Sequence, residues 1–507
     1  MSTWMKLGGT TAIAALMTGS AAFADVTAQD VWGDWKTYMQ GFGYGVTGTE
    51  ATSGNTLTVS DIAMSMALPE DAGMLKMTLA EMNFTNNGDG TVTVGFPASQ
   101  QVDVNIVPTR DDPVDLVFDY SNQGLTMIVS GSANDMAYAY SAAAVQLALK
   151  SVTAEGKTVP VKMAELAIHN INGNSTVKTG NLRTIAQTMQ AGDLGLNIDF
   201  ANPDNAEEFV KIGATLGQPT FNGTVSIPAG AFDPSNMAAM LKAGFAVDGK
   251  YGYTGGKMDF QFVERGDTVQ VNSSSDSGAF EVTMSADMLK YLVSAKGQTV
   301  NMMGGDIPFP IDIKMAESLL KLVMPVSKSD TTQDFALGIT LGGFETSDMI
   351  WGLIDPTAKL PHDPATVAID LSGKGKLGFD VMDPEQQKAL ERGEVMPGEV
   401  ESLTLNNLEV TAAGASLTGT GAFAFDFPKV MMSQGMQGID GALDLSLTGA
   451  NGLMGKLVEM GLVPQDQIMG VQMMMGMFAV PAGEDAYTSK LEVKADGQVL
   501  ANGQRLK

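Results

Sequence analysis

The chain has 507 residues, with 30 basic and 57 acidic side chains and a formal net charge of −27. So acidic a chain, without any run of Lys or Arg, cannot offer a broad phosphate-neutralising face, which excludes nucleic acid as an expected partner. It contains no cysteine, which excludes disulfides, thiolate metal sites, thiol catalysis and a lipidated N-terminal cysteine.

The N-terminal segment has the pattern of a secretory signal peptide. Lys6 precedes an apolar stretch from Leu7 to Ser20, and Ala22-Phe23-Ala24 is followed abruptly by Asp25. A basic start, an apolar stretch and small residues before the cleavage point are typical of such segments. We therefore predict a signal peptide over residues 1–24, cut between Ala24 and Asp25, and a periplasmic protein. The most apolar later stretch, Ile468 to Val480, is shorter than the ~20 residues that span a bilayer, so no transmembrane anchor is expected after cleavage.

Alternating apolar residues dominate the rest of the chain and predict antiparallel strands with one buried and one wet face. Turn sequences agree, since Asn87-Gly88-Asp89-Gly90, Arg265-Gly266-Asp267 and Ala495-Asp496-Gly497 each separate two such segments and predict hairpins. The clearest alternating segments are Lys257–Val263, Phe280–Met284, Phe335–Leu341, Val367–Leu371, Leu377–Val381, Phe423–Phe427 and Leu443–Leu447.

A degenerate repeat runs through these strands. Its members read apolar–polar–apolar, then two mostly polar positions, then apolar–polar–apolar, and the two-residue step favours a bulge or bend in mid-strand. If the repeat is real, one strand unit is reused along a long sheet. The members are Leu57–Met64, Met77–Phe84, Val161–Ile168 and Leu403–Val410.

Short helices are predicted between the strands from caps, Pro and Gly signals. The resulting fold class is a β-rich α+β protein with long antiparallel, curved sheets of repeated hairpins and short amphipathic helices as plugs. The predicted helices run from Thr27 to near Gly41, from Asp233-Pro234 through Leu241, over Glu317–Met324, from Asp383-Pro384 to Arg392-Gly393, and over Leu453–Met460 and Gln465–Phe478.

The domain organisation is predicted as a signal peptide over 1–24, an N-terminal β-rich half over 25–225 and a C-terminal β-rich half with short helices over 226–507. Gly, Pro and Asn cluster near 217–235 and suggest that boundary. One continuous β-structure over the same length is an equally compatible alternative.

Candidate catalytic groups are few. His169 and His362 have no two-His metal spacing, and His362 beside Asp363 lies in a Pro-rich turn that favours a structural role. The one Ser-x-x-Lys match worth noting, Ser318 to Lys321, falls on the predicted helix over Glu317–Met324 and carries little weight. Paired carboxylates leave a hydrolase open without pointing to one. For calcium, Asp111-Asp112, Asp115 and Asn86–Asp89 offer oxygens but follow no known loop pattern, and neither cofactor nor metal is predicted.

One segment carries a family resemblance. Trp351-Gly-Leu-Ile-Asp-Pro-Thr-Ala-Lys-Leu-Pro-His-Asp-Pro364, with its continuation to Gly373 and the ending Val499-Leu-Ala-Asn-Gly-Gln-Arg505, resembles an uncharacterised family of secreted Gram-negative proteins, domain of unknown function two-one-two-five. The resemblance covers most of the chain after residue 24. It implies no activity, and the family usually has Arg where this chain has His362, which argues against a catalytic His362. The residues that carry it are Trp351, Asp355, Pro356, Pro361, His362, Asp363, Pro364, Asn502 and Gly503.

A weaker similarity, of style rather than motif, is to AsmA-like envelope proteins, and it implies a long curved sheet whose apolar concave face holds acyl chains. The 35 methionines suit either an irregular core or an adaptable apolar binding surface. The leading hypothesis is a non-enzymatic periplasmic protein that binds lipid or another apolar ligand in a β-sheet groove. The alternatives are that every apolar face is core, that the protein is an envelope scaffold acting through protein contacts, and that it is a carboxylate-dependent hydrolase.

Overall fold

The computed structural model describes residues 25–68, 72–159, 161–202, 205–230, 232–233, 236–305, 307–432 and 436–506. In these residues, 26 strands form one antiparallel sheet, accompanied by seven short helices, which confirms the predicted fold class. The helices are α1 Ala28–Gly41, α2 Met237–Lys242, α3 Asp348–Ile354, α4 Pro384–Glu391, α5 Phe427–Met432, α6 Ala450–Glu459 and α7 Gln465–Phe478.

The strands are long in the middle of the chain, reaching 24 residues in the thirteenth. Their bounds are β1 Gly45–Ser53, β2 Thr56–Ala67, β3 Gly73–Asn86, β4 Val92–Gly95, β5 Ser99–Pro108, β6 Val114–Gln123, β7 Thr126–Ser132, β8 Asp135–Ala154, β9 Lys157–Val159, β10 Met163–Thr179, β11 Leu182–Gln190, β12 Asp193–Asn202, β13 Asn205–Pro228, β14 Ala246–Glu264, β15 Asp267–Met284, β16 Met288–Gly304, β17 Ile307–Pro325, β18 Gln333–Thr346, β19 Ala365–Leu377, β20 Gly398–Ala412, β21 Ala415–Phe425, β22 Ile439–Thr448, β23 Val480–Gly483, β24 Ala486–Val493, β25 Val499–Ala501 and β26 Gln504–Arg505.

The strand order follows the chain closely. From β13 to β22 every strand pairs with the next one along the chain, and β24 then pairs with β22. Nearer the N-terminus two short strands share one long neighbour, since β4 and β5 pair with different parts of β3, and β11 and β12 with different parts of β10. The sheet is continuous across the predicted domain boundary because β13 and β14 pair along most of their length. The division into halves itself stays a prediction.

A mid-strand irregularity recurs across the sheet. It coincides with the two-residue step of the repeat in β2 and β20, but not in Val161–Ile168, where β10 pairs without a break. In β2, Asp61 has φ 51° and interrupts the pairing with β1, so that Leu57 and Val59 on one side of it and Ile62 on the other are all buried. In β16, Gly297 has φ 58° and marks the same kind of break. A bulge shifts the alternation by one residue, so the apolar side chains stay on one face along the whole strand.

The N-terminal part of the apolar face is covered by α1. Thr27 caps the start of this helix, as the sequence predicts, and forms a reciprocal capping box with Asp30. Trp32 of α1 and Phe84 of β3 are 4% and 0% exposed, with ring centroids 5.9 Å apart. Arg183 of β11 holds the helix on the sheet through a bidentate ion pair with Asp34, at 2.5 and 2.7 Å. This part of the sheet therefore has a conventional two-layer core, completed by Val31, Val59, Val92, Val94, Val129, Met136 and Val177.

A second, smaller core lies under α2, where Met240, Leu241 and Phe245 pack with Ile227 and Val326. The predicted start at Asp233-Pro234 is too early, because Asn236 is the N-cap and accepts a hydrogen bond from the Ala239 N–H. Residues 234–235 lie outside the described residues.

Asp380 joins three pieces of the covering layer. Its carboxylate accepts hydrogen bonds from Nζ of Lys242, the last residue of α2, from the Lys328 N–H and from the side chain of Gln386 in α4. The distances are 2.6, 2.9 and 3.1 Å. Burial raises the pKa of Asp380, but these hydrogen bonds outweigh burial and leave the pKa of this carboxyl below its ordinary value. The hydrogen bond between Lys242 and Asp380 also raises the pKa of Lys242 above its ordinary value.

We expect Asp380→Asn to lower the free energy of unfolding at pH 7 by about 1–3 kcal/mol, since it replaces the buried, charged acceptor of three hydrogen bonds by a weaker, neutral one. A carboxyl whose pKa is depressed by folding contributes stability above its unfolded pKa of about 3.9 and loses it as the pH falls through the folded pKa. The difference between the variant and the original protein should therefore shrink below about pH 4. Urea unfolding from pH 3 to pH 8 measures it, and a difference that persists undiminished at pH 3 would contradict this assignment.

Three further sequence predictions about secondary structure are wrong in whole or in part. The alternating segment Phe423–Phe427 is a strand only as far as Phe425, because α5 begins at Phe427. Residues Glu317–Met324 lie in β17 and not in a helix, because Leu320, Leu322 and Met324 alternate and the segment pairs with β16 and β18 on its two sides. The alternating segment Leu377–Val381 is not a strand, because β19 ends at Leu377. The chain then leaves the sheet, and Asp380 contacts the segments that cover it. The predicted helices α1, α4, α6 and α7 are confirmed within a few residues, whereas α3 and α5 have no counterpart in the sequence predictions.

Candidate functional site: an uncovered apolar face

Eight large apolar side chains lie uncovered on the face of β16–β20 that continues the cores under α1 and α2. Each of them exposes between 37% and 48% of its surface, so no element among the described residues packs over them. Contiguous exposed apolar surface of this kind marks a binding surface far more often than an isolated exposed side chain does. We call this set the apolar patch, and its members are Tyr291, Val293, Leu320, Leu337, Ile339, Leu341, Val367 and Val410.

The register of the strands makes the apolar patch contiguous. Val293 pairs with Leu320, which pairs in turn with Ile339 on β18. Leu341 pairs with Val367, which pairs with Val410 on β20. Paired side chains on one face lie ~5 Å apart and neighbouring strands ~4.8 Å apart, so the patch extends about 19 Å across five strands.

A small apolar pocket of ≈ 160 Å³ adjoins the apolar patch on the side of α2. Phe221, Tyr251, Phe280 and Val282 line it, and the ring of Phe280 contacts Tyr291 of the patch at a centroid distance of 5.1 Å. The apolar surface therefore continues from the open patch into a partly enclosed end.

The opposite face of the same strands is charged. Glu281 bridges Lys250 and Lys290 at 2.8 and 3.2 Å, and Lys321 lies 3.4 Å from Asp370. Hydrogen bonds from Lys250 and then Lys290 lower the pKa of Glu281 below its ordinary value. The sheet is therefore amphipathic here, with a solvated face and an apolar face that is also open.

A wide, open pocket of ≈ 690 Å³ lies on the opposite face from the apolar patch. Its lining includes a row of residues paired across four neighbouring strands, namely Thr220, Gly252, Ala279 and Ser294. Ser294 follows Val293 of the apolar patch directly on β16, so the row points to the other side of the sheet. Small and uncharged side chains dominate its lining, and neither Asp nor Glu is among the residues described there. It therefore lacks the facing carboxylates that glycoside hydrolysis requires.

The two histidines each contact a nearby carboxylate. His169 Nδ1 lies 2.8 Å from Asp193 on the neighbouring strand, and His362 Nδ1 lies 3.3 Å from Asp348. Ser318 and Lys321 form no dyad, because three residues apart on a strand they point to opposite faces. Among the described residues, no three His, Asp or Glu side chains converge in a way that could hold a metal ion.

Most of the family-like residues build a loop next to α3. The rings of Trp351 and His362 stack in parallel with centroids 4.5 Å apart. Asp355 is 2% exposed and accepts hydrogen bonds from the Leu360 N–H at 2.6 Å and the Thr357 hydroxyl at 3.2 Å. These contacts fold the loop that holds Pro356, Pro361, Asp363 and Pro364, and Lys359 then joins the loop to Glu459 of α6 at 3.3 Å.

Asn502 and Gly503 lie in a different place, the turn between β25 and β26, where both residues have positive φ. The Asn502 side chain accepts from the Lys490 N–H at 2.8 Å and donates to the Phe478 carbonyl at 2.9 Å, which fastens the end of α7 to β24. The motif residues thus support the helices near the end of the chain, and the structure assigns none of them to the apolar patch. Of the predicted cleavage point, Ala24 lies outside the described residues and Asp25 is the first residue described, so cleavage there stays a prediction.

The members of the apolar patch were not among the predicted site residues, although alternating segments such as Phe335–Leu341 contain several of them. Alternation shows which side chains share a face. It is the same for strands that α1 and α2 cover and for strands that no described element covers. No helix in the described part of the chain combines the length and the apolar character needed to cross a membrane.

Neither a curated protein nor a solved structure matches this chain. A family model described as an uncharacterised protein conserved in bacteria, DUF2125, matches residues 231–506 and so includes the whole of the apolar patch. Since the match extends over more than half of the sequence and agrees with the resemblance seen at Trp351–Pro364 and Asn502–Gly503, the chain belongs to the DUF2125 family of uncharacterised bacterial proteins.

Proposed function

We propose that the protein is exported to the periplasm and binds the acyl chains of a lipid along its apolar patch, without catalysing a reaction. The observation that carries the proposal is the set of eight contiguous apolar side chains on β16–β20 that stay 37–48% exposed. Export rests on the signal-like segment ending at Ala24-Asp25.

An acyl chain suits this surface for two physical reasons. The apolar patch carries no charged side chain, so its ligand gains free energy by removing hydrocarbon surface from water, at roughly 25 cal/mol per Å². Its extent of about 19 Å across five strands lets an elongated apolar ligand such as an acyl chain lie along it. The solvated opposite face, with Lys321 and Asp370, keeps the rest of the sheet in water.

We expect lipid to co-purify with the protein when it is isolated from a bacterial envelope without detergent. Organic extraction followed by mass spectrometry identifies the lipid and its ratio to protein, and uptake of a fluorescent fatty acid by delipidated protein gives the affinity. An equally acidic periplasmic protein purified in parallel controls for carry-over. Absence of both co-purified lipid and uptake would sink the proposal and would favour a scaffold that acts through protein contacts.

A further inference from the structure

The helix α7 presents a second apolar surface, separate from the apolar patch. Only Ile468 of this 14-residue helix is buried, and between Met469 and Phe478 it contains no charged residue. Large apolar side chains cover a broad arc of the helix at exposures from 37% to 70%, and they are Met469, Val471, Met473, Met474, Met477 and Phe478.

Side-chain hydrogen bonds fix α7 to the rest of the fold despite this exposure. The carbonyl of Phe478 accepts from the Ser489 hydroxyl at 2.6 Å and from the Asn502 side chain at 2.9 Å. In the middle of the helix, the Gln472 side chain donates to the Asn451 side chain at the first turn of α6, at 3.4 Å. The helix is thus held at its middle and at its C-terminal end with its apolar arc exposed, which is the arrangement of a contact surface.

The chemistry of the arc favours a fluid hydrocarbon surface over a folded protein. Protein interfaces are anchored by Trp, Tyr and Arg in fitted pockets, and the arc has none of these. Four of its six exposed side chains are Met, whose flexible thioether adapts to an irregular apolar environment. A helix that lies in the plane of a bilayer buries such a face a few ångströms below the headgroups.

The charge around the arc selects the kind of bilayer. No Lys or Arg occurs between residues 457 and 489, whereas Glu459, Asp466, Glu484 and Asp485 do. Interfacial helices that bind anionic lipids depend on basic side chains along their polar face, and α7 itself has none. We therefore infer that α7 docks the protein on the surface of a membrane rich in zwitterionic lipid, with Met473 and Met477 inserted among the acyl chains. This inference does not require the apolar patch to bind lipid.

Because the chain has no cysteine, single labelling sites can test this docking without a background. Met477→Cys on α7 and the control Met432→Cys on α5, 80% exposed, are each labelled with an environment-sensitive fluorophore. With vesicles of phosphatidylethanolamine and phosphatidylcholine, the label at 477 should shift to the blue and the label at 432 should not. Replacing a third of the lipid by phosphatidylglycerol should weaken binding.

A paired variant completes the experiment. Met473→Glu/Met477→Glu should reduce flotation of the protein with zwitterionic vesicles by about tenfold, since two inserted apolar side chains are lost, while Met432→Glu should float like the original protein. Membrane docking would be overturned if the double variant and the original protein floated equally. It would also be overturned by a blue shift of the label at 477 that occurs without vesicles and grows with protein concentration, because this shift would show that a second copy covers the arc. Fatty-acid uptake in the double variant should be unchanged, which separates this surface from the apolar patch.

Discussion

Phe84→Ala should lower the free energy of unfolding by about 3–5 kcal/mol, whereas Leu320→Ala should lower it by less than about 1 kcal/mol. Both side chains come from long strands and face the same side of the sheet. Phe84 is fully buried under α1, with the rings of Trp32 and Trp35 at centroid distances of 5.9 and 5.6 Å. Leu320 belongs to the apolar patch and is 47% exposed. Truncation of Phe84 leaves a cavity, and truncation of Leu320 leaves only a larger opening to solvent.

Urea unfolding followed by tryptophan fluorescence measures both effects, since Trp32 and Trp35 touch the site of the first substitution. Circular dichroism in the strand region, recorded on the same samples, controls for local effects on the indole rings. The comparison also decides between a binding surface and the simpler view that every apolar face is core. A cost for Leu320→Ala equal to that of Phe84→Ala would show that the apolar patch is covered in solution.

Local chemistry in the sequence is sufficient to predict most elements of this fold. Thr27 predicts the start of α1, and Asp383-Pro384 predicts the start of α4. Arg265-Gly266 predicts the tight turn between β14 and β15, where both residues have positive φ. Each of these signals acts within four residues of the chain. Their outcome therefore does not depend on what the rest of the protein does.

Tertiary pairing decides the elements that the sequence predicts wrongly. Between Ser318 and Met324 the apolar residues fit both a helical and a strand period, and only the neighbouring strands β16 and β18 select the strand. The short helix α3 has Ser347 as its N-cap but no side-chain capping bond, so its local signal is weak.

The candidate site could not be predicted because its defining property is that no element in the described part of the chain covers it. Ile62 of β2 and Ile339 of β18 both come from alternating segments, yet one is 2% and the other 37% exposed. The difference arises from where α1 and α2 pack, tens of residues away in sequence. The bulges at Asp61 and Gly297 add to the difficulty. Beyond each bulge the alternation is shifted by one residue, so the side chains that share a face cannot be assigned from the sequence unless the bulge is located first.

Leu320→Asp/Ile339→Asp should reduce lipid uptake by about tenfold or more while leaving the protein folded. The two residues are direct partners on β17 and β18, so the substitutions place two carboxylates in the centre of the apolar patch. An acyl chain that binds there would lose the contact of two large apolar side chains, each worth about 1.5–3 kcal/mol when fully buried, and would have to desolvate the new charges. In water the same carboxylates remain hydrated, because the patch is open, so the effect on folding stays small.

Thr340→Asp is the matched control, since it adds the same side chain one residue further along β18 and points to the opposite face. It should take up fluorescent fatty acid like the original protein. Uptake and co-purified lipid are measured for both variants, together with their urea midpoints. Unchanged uptake in Leu320→Asp/Ile339→Asp would remove the apolar patch as the lipid site, whereas unfolding of that variant alone would show that the patch is core. A loss of uptake in the patch variant, with folding and the Thr340→Asp control intact, assigns lipid binding to this face, because only the side of the sheet that receives the charge differs between the two proteins.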